Sequence, residues 1–285
     1  MNIKLVTDST CDLPPDKIAQ EDITVVPLYI NFGEDSYKDG VDITREEFYE
    51  MLPDSPVQPT TSVPGIGAFV RAYQKLIDQG ADHILSIHIS SQLSNTVNVA
   101  KIAAESLENV KITVLDACQL TVGTGLQVLE AAKAIRHGKT VQEITYFLDQ
   151  FRQKIGTFAA LDTLEFLRRS GRLSNFQAAL GSLLDLKPLL SMQKNTINME
   201  RARTRQRAID WLISKFSSLT PVDQIAMVHT AALDRARSVW EQLREIAPET
   251  PEPLFLDVTP ILGAHLGPGV VGFTTVSSAL PINAS

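Results

Sequence analysis

Apolar side chains along the first half of the chain alternate between strand-like and helix-like spacing. Short apolar runs that end in polar turn residues predict strands, and apolar side chains three or four positions apart predict helices. Thr44 and Glu47 match a capping box at the start of one predicted helix. The predicted strands are residues 3–8, 22–32, 83–89 and 111–117, and the predicted helices are residues 44–52, 64–80, 94–107, 121–137 and 140–155. This succession predicts a mainly parallel sheet that is covered by helices on both faces.

The second half of the chain predicts another α/β unit with a mixed sheet. Lys194 and Asn195 separate two strand-like runs and indicate a hairpin. The predicted strands are residues 157–163, 187–193, 196–203 and 224–231, with two more near 253–258 and 270–277, and the predicted helices are residues 164–171, 176–185, 204–218 and 232–246. Because 285 residues exceed one ordinary core, we predict two domains, residues 1–156 and residues 157–285.

Composition and charge narrow the classes of protein that fit. A net charge of −7 argues against general binding to nucleic acid, which favours a basic surplus. The first ten residues do not resemble a signal peptide, and no apolar run reaches the roughly 18 residues of a membrane span. Cys11 and Cys118 show no CxxC spacing and are interpreted as buried thiols. We therefore expect a cytoplasmic protein without stable membrane insertion.

Motifs for nucleotide, metal or nucleophilic chemistry are missing from the sequence. Residues 138–140 read Gly-Lys-Thr, but Lys133 stands where a P-loop needs its first glycine. No GxSxG elbow and no HExxH motif occur. His83 and His88, five apart on a predicted strand, should face opposite sides of it. We therefore expect no cofactor and no metal site.

Polar loops follow or precede several elements of the first half. They lie at residues 7–10, 59–62, 90–96 and 116–125. Their hydroxyl and amide groups, together with the N–H groups of helix N-termini, are suited to a small anion such as a carboxylate or phosphate. Each loop alone is better explained by Ser and Thr side chains that cap helices. Because ligands bind at the carboxyl edge of an open α/β sheet, several such loops together favour a binding site.

Six segments resemble, in order along the chain, the landmarks of the bacterial DegV family. They read TDSTCDL, PTTSVP, SSQLSNT, LDTLEFLRRSGRLS, LKPLL and TPILGAHLGPG. This resemblance implies a two-domain DegV-like α/β fold that binds a long-chain fatty acid between its domains. Several members of the family are the fatty-acid-binding subunit of bacterial fatty acid kinase, in which a separate ATP-binding subunit phosphorylates the bound carboxylate. The resemblance therefore implies a lipid-binding protein that is not itself an enzyme.

The resemblance also implies a set of residues around the fatty acid carboxylate. Thr61 and Ser94 match the hydroxyl ligands, and His265 is the third polar contact. Asn95 replaces a family glycine and brings an amide donor close to the headgroup. His265 lies among glycines in residues 259–272, which we interpret as a tight loop whose backbone approaches the ligand closely.

Two arginines complete the set that the resemblance implies. Arg172 matches an arginine near the carboxylate or on the kinase-docking surface, and Arg203 matches a second basic position. Apolar side chains in residues 158–167 and 176–190 are candidates for the wall of an acyl-chain tunnel, although ordinary core packing is the better explanation for most of them.

Two other functions remain open at this stage. One is a stand-alone hydrolase or transferase that uses Ser94 and His265. The other is a nucleic-acid binder that uses the arginines of residues 168–172 and 201–207, which the acidic net charge disfavours. Ion pairs of these arginines with Glu165 and Glu200 are the simplest interpretation of both clusters.

Overall fold

The computed structural model describes residues 1–53, 55, 57–108, 110–172 and 186–279. The strands are β1 (Ile3–Asp8), β2 (Ile23–Val26), β3 (Tyr29–Phe32), β4 (Asp35–Lys38), β5 (Thr60–Ser62), β6 (His83–His88), β7 (Lys111–Asp116), β8 (Ile155–Ala160), β9 (Lys187–Gln193), β10 (Thr196–Ala202), β11 (Val222–His229), β12 (Leu254–Asp257) and β13 (Val271–Ser277). The helices are α1 (Pro15–Gln20), α2 (Arg45–Met51), α3 (Ile66–Asp78), α4 (Thr96–Glu105), α5 (Val122–Arg136), α6 (Val141–Phe151), α7 (Glu165–Arg169), α8 (Arg205–Ser217), α9 (Leu233–Ile246) and α10 (Pro260–Leu266).

The first half of the chain forms a parallel sheet with the order β2-β1-β6-β7. Leu5 and Leu85 pack on one face against α5 and α6, and Val6 and Ile84 pack on the other face against α3 and α4. Helices thus cover both faces, because each strand carries apolar side chains in both directions. The predicted parallel sheet is confirmed.

The second half forms a sheet with the order β10-β9-β8-β13-β11-β12. Its strands pair antiparallel except for β11 and β12, so the predicted mixed sheet is confirmed. Phe158 and Phe273 on one face pack against Phe216 of α8 and Trp240 of α9. The opposite face of β8 and β9 is turned towards the first half of the chain.

Local signals in the sequence account for several element boundaries. The backbone N–H of Glu47 donates to the Thr44 hydroxyl over 3.2 Å, and the Glu47 carboxylate accepts from the Thr44 N–H over 2.7 Å. The predicted capping box at α2 is therefore confirmed. Lys194 and Asn195 both adopt positive φ, at 48° and 58°, as a two-residue hairpin turn requires. The predicted hairpin of β9 and β10 is also confirmed.

The prediction of one strand over residues 22–32 is wrong. Pro27 lies between β2 and β3, and it has no backbone N–H with which to continue a ladder. While β2 joins the parallel sheet, β3 pairs with β4 and β5 in a separate antiparallel sheet. This small sheet and α2 bury Ile30, Phe48 and Tyr49 against Ile261 of α10. Strands β4 and β5 are only four and three residues long and were not predicted.

Candidate functional site

A cavity of about 360 Å³ lies between the carboxyl edge of the parallel sheet and the free face of the second sheet. This volume falls within the range of roughly 300–1,000 Å³ that is usual for small-molecule sites. Apolar side chains form most of the wall. They are contributed by Leu28, Val63, Ile89, Leu93, Leu120, Ala159, Leu167, Leu190, Met192, Ile197, Val228, Val258, Ile261, Leu262, Leu266 and Val270.

The described candidates for the tunnel wall lie in two different environments. Ala159 and Leu190 are paired neighbours on β8 and β9, and both line the cavity. Phe158 has the opposite orientation and packs in the core under α8 and α9, because successive strand residues point to opposite faces. The predicted helix at 176–185 lies outside the described residues.

His265 and Thr61 meet at the cavity, although they are 204 positions apart in sequence. Thr61 is in β5 of the small sheet, and His265 is in the last turn of α10. His265 Nε2 lies 2.9 Å from Thr61 Oγ1. The small sheet and α10 thus bring together two of the residues that, by resemblance to the family, surround the fatty acid carboxylate.

The interpretation of residues 259–272 as a tight loop is wrong for residues 260–266. Pro260 stands at the first turn of α10, where its fixed φ suits a helix, and Gly267 ends the helix with a φ of 76°. Gly263 is needed inside the helix because an added Cβ would contact the Tyr49 hydroxyl and would lie 3.0 Å from Phe48 Cε1. This glycine therefore allows α2 to pack closely on the helix that carries His265.

The imidazole of His265 is held neutral at physiological pH. Burial lowers its pKa to about 4, and the nearby Arg172 guanidinium adds to this effect. Nδ1 of the ring is buried and has no hydrogen-bond partner among the described residues. Arg172 also lines the cavity, and its Nη1 donates to the Ser170 carbonyl over 2.8 Å. The side chain of His265 thus offers a polar atom that the surrounding protein leaves unused.

Ser94 and Asn95 reach the same cavity from the segment between β6 and α4. The Ser94 hydroxyl lies 2.8 Å from Thr96 Oγ1 and accepts from the Thr96 N–H over 3.3 Å. Asn95 stands at the N-cap of α4 with a φ of −79°, so its position does not need a glycine. Its side-chain oxygen accepts from Asn98 Nδ2 over 2.7 Å.

The arginine clusters differ in their surroundings. Arg168 and Arg169 both pair with Glu165, as predicted. Glu200 instead pairs with Lys215. Arg203 is exposed just after β10 and is not among the described residues that line the cavity. The structure therefore brings Thr61, Ser94, Asn95, Arg172 and His265 to one cavity and leaves Arg203 outside it.

A buried hydrogen-bond array below the cavity was not predicted. Asp8 Oδ2 lies 2.9 Å from His88 Nδ1, His88 Nε2 lies 2.6 Å from Ser86 Oγ, and Ser86 Oγ lies 2.9 Å from the Tyr73 hydroxyl. All four residues are fully buried. Asp8 also accepts from the Ile89 N–H, which fixes the chain where it leaves β6 towards Ser94. The only signal in the sequence was the spacing of Ser86 and His88, which places both on one face of a strand.

The electrostatics of this array suit a structural role. Burial would raise the pKa of Asp8, but hydrogen bonds and the charge of His88, with further hydrogen bonds from Thr10 and Ile89, outweigh burial and lower it. Asp8 is thus held as a carboxylate. Because Ser86 is completely buried, it is not accessible to a substrate as a nucleophile.

Cys11 and Cys118 are buried and unpaired, as predicted. In the described ranges, no three or more His, Cys, Asp or Glu side chains are arranged to hold a metal ion. Among the helices of the same ranges, none combines the length and the apolar character needed to cross a membrane.

The fold and cavity define an α/β protein of two main sheets that enclose an apolar site with a few polar groups. The chain matches the model described as "uncharacterised protein, DegV family" over residues 2–278. A DegV domain-containing protein of Deinococcus radiodurans is 34% identical over 277 residues, which cover 95% of this chain and 97% of that protein. This chain therefore belongs to the DegV family.

Solved structures of related proteins confirm the fold class. A DegV family protein of Thermus thermophilus, described for its fatty acid binding, has a TM-score of 0.87 and 32% identity, with 97% of this chain and 100% of that chain covered. DegV of Bacillus subtilis, described as a fatty acid binding protein, has a TM-score of 0.87 and 31% identity, with coverage of 98% and 100%. The similarity extends over both sheets.

The low pKa of His265 makes the stability of the protein depend on pH. Its pKa is near 4 in the folded chain and near the ordinary 6.5 in the unfolded chain. Between these values the unfolded chain binds more protons, so stability falls as the pH falls. Between pH 7 and pH 5 the free energy of unfolding should fall for both proteins. We expect this decrease to be about 2 kcal/mol smaller for the His265→Gln variant than for the parent protein. Urea denaturation of both proteins at each pH measures this difference, and equal losses would contradict it.

Proposed function

We propose that this protein binds a long-chain fatty acid in the cavity, between a first unit of residues 1–156 and a second unit of residues 157–285. The observation that carries this proposal is the cavity itself, whose wall is apolar while Thr61 and His265 meet at one place on it. The fatty acid binding described for the Thermus and Bacillus proteins supports it.

The acyl chain would supply most of the affinity. Burial of apolar groups contributes roughly 0.8 kcal/mol per CH₂. A chain of about sixteen carbons would therefore gain on the order of 10 kcal/mol before the costs of ordering and association. The polar contacts would mainly decide which end of the molecule lies beside Thr61 and His265.

In this proposal Ser94, Asn95 and His265 contact the carboxylate, and Thr61 helps to hold it through its hydrogen bond to His265. When the Thr61 hydroxyl donates to His265 Nε2, the ring proton of the neutral imidazole is on Nδ1. Nδ1 is the atom that has no partner in the described part of the protein, and an N–H group there would donate to a carboxylate oxygen. Hydrogen bonds to an ionised acceptor are about twice as strong as neutral ones.

Arg172 would add a positive charge close to the carboxylate, because it is near enough to His265 to lower the pKa of the imidazole. Arg203 is exposed and away from the cavity lining, so we assign it to the surface that docks a partner. By resemblance to the family, that partner is an ATP-binding kinase subunit, which would phosphorylate the bound carboxylate. A nearby guanidinium would stabilise the charge of such a transfer.

In this assignment the chain presents its ligand and does not catalyse a reaction. A hydrolase that uses Ser94 and His265 would need the two side chains within hydrogen-bond reach. Their observed partners are different, since the Ser94 hydroxyl contacts Thr96 and His265 contacts Thr61.

Extraction of the purified protein and mass spectrometry of the extract tests the proposal. We expect a long-chain fatty acid in the extract, and we expect Thr61→Val and His265→Ala each to weaken its binding about tenfold. His265→Ala removes a hydrogen bond to an ionised group, and Thr61→Val removes the hydrogen bond that keeps the ring proton of His265 on Nδ1. Both variants should also lower acyl phosphate formation with the kinase subunit. Ser62→Ala is the matched control, because Ser62 lines the same region but is exposed. A protein that neither contains nor binds fatty acid would disprove the proposal.

A further inference from the structure

A second concave surface lies away from the fatty acid cavity. This groove has a volume of about 790 Å³ and lies between α1, β2 and the start of α2 on one side and the end of β12 on the other. None of its described lining residues also lines the cavity. The apolar part of its wall includes Leu13, Ile18, Ile23, Val25, Phe255 and Leu256.

A cluster of charged groups lies at the base of the groove. Arg45 Nη2 is 3.2 Å from Asp12 Oδ1, and Arg45 Nη1 donates to the backbone carbonyl of Asp257. Asp12 is fully satisfied, because it also accepts from the Thr259 N–H over 2.9 Å and from the Thr121 hydroxyl over 2.5 Å. The Arg45 guanidinium thus contacts Asp12 and the backbone at the end of β12.

Asp39 is the group in this cluster whose hydrogen bonding is incomplete. The residue is 3% exposed, lines the groove, and has a buried Oδ2 without a partner in the described part of the chain. Burial raises its pKa to about 7, against the lowering effects of a hydrogen bond from Ser9 and of the Arg45 charge. An unsatisfied buried carboxyl costs free energy, and such groups in a cleft are typical of ligand sites.

The charge balance of the groove indicates which ligand would complete it. The carboxyl groups of Asp12 and Asp39 lie near a single guanidinium, that of Arg45. A second anion would be repelled, and a neutral alcohol would leave the carboxylates uncompensated. A primary ammonium has three N–H donors and one positive charge in a small volume. Its aliphatic stem would lie on the apolar walls.

We propose that this groove binds a primary ammonium group carried on an aliphatic stem, with the ammonium at Asp39 Oδ2 and the stem between α1 and β12. A free alkylamine and the lysine side chain of another protein both have this chemistry. The site is independent of the fatty acid proposal, because its described lining residues are different.

Calorimetric titration of the full-length protein, first saturated with palmitate, tests the site with n-hexylamine as the probe. We expect hexylamine to bind at least tenfold more tightly than 1-hexanol or hexanoate. Asp39→Asn should weaken hexylamine binding at least tenfold. Asp16→Asn should leave it unchanged, because Asp16 is exposed in the first turn of α1 and is not among the described residues that line the groove.

The comparison of probes on the unmodified protein keeps the test valid if Asp39→Asn does not fold. No binding of hexylamine, equal binding of hexanol, or an unchanged affinity in a folded Asp39→Asn protein would overturn the proposal. Titration with Nα-acetyl-lysine amide distinguishes the two sources. Tighter binding than hexylamine supports a protein side chain as the ligand, and weaker binding supports a free amine.

Discussion

Ala159→Phe is expected to abolish binding of long-chain fatty acids while the protein remains folded. Ala159 lies on β8, lines the cavity and is paired with Leu190 of β9. A phenyl ring at this position would occupy space that the proposed acyl chain needs. Exclusion of four or more methylene groups from the cavity costs roughly 3 kcal/mol or more. The expected loss of affinity for palmitate is therefore at least about a hundredfold.

Two comparisons make this result specific. Ala159→Val adds less volume and should cause a smaller loss of affinity. Octanoate has a shorter tail and should be much less affected by the phenyl ring than palmitate is. Fluorescence displacement gives the affinities, and thermal unfolding shows that each variant is folded. Unchanged palmitate affinity in folded Ala159→Phe would show that the ligand does not lie in this cavity.

Gly263→Ala is expected to destabilise the protein by about 2–3 kcal/mol, which is typical of an overpacked core. The added methyl group would contact the Tyr49 hydroxyl and lie 3.0 Å from Phe48 Cε1. Relief of this contact would need a displacement of α10 from α2. Since α10 carries His265, the distance to Thr61 would change and fatty acid affinity should fall as well.

A double-mutant cycle with Tyr49→Phe separates this contact from a general loss of stability. Tyr49 donates to the Val258 carbonyl over 2.8 Å, so Tyr49→Phe alone should cost about 1 kcal/mol. In its presence Gly263→Ala should cost less than in the parent protein, because the clashing oxygen is absent. Urea denaturation of the four proteins measures the coupling. Additive effects would show that Tyr49 is not the group that excludes a side chain at position 263.

Elements with strong local signals were predictable from the sequence. The capping box of Thr44 and Glu47 and the hairpin turn at Lys194 and Asn195 depend on residues within a few positions of each other. The large parallel and mixed sheets follow from apolar runs long enough to be recognised by periodicity. These features formed as predicted because tertiary packing reinforces the local preference.

Other elements could not be predicted, for identifiable physical reasons. Pro27 in the apolar run of 22–32 was a local sign against one continuous strand, but the sequence did not show that the two parts join different sheets. Helix α10 is only seven residues long, and its glycines suggested a loop until the packing of Tyr49 against Gly263 explained one of them. Short segments such as these are stabilised by contacts that are distant in sequence.

The polar loops at 59–62 and 90–96 indicated a binding site from the residues alone, but the part played by His265 was accessible only through the resemblance to a family. Thr61 and His265 are separated by 204 positions, and no local pattern indicates that they touch. The buried contact of Asp8 with His88 depends in the same way on the pairing of β1 with β6. The unsatisfied Oδ2 of Asp39 is visible only when the whole surrounding structure is known.

The contact of Thr61 with His265 also gives the proposed ligand a mechanical role. This hydrogen bond and that of Tyr49 with the Val258 carbonyl connect residues 204 and 209 positions apart, and closed loops of this length restrict the chain. A carboxylate that accepted hydrogen bonds from His265 and Ser94 would join α10 to the segment between β6 and α4 through stronger, charge-assisted contacts. The cargo would then act as a reversible cross-link between distant parts of the polypeptide.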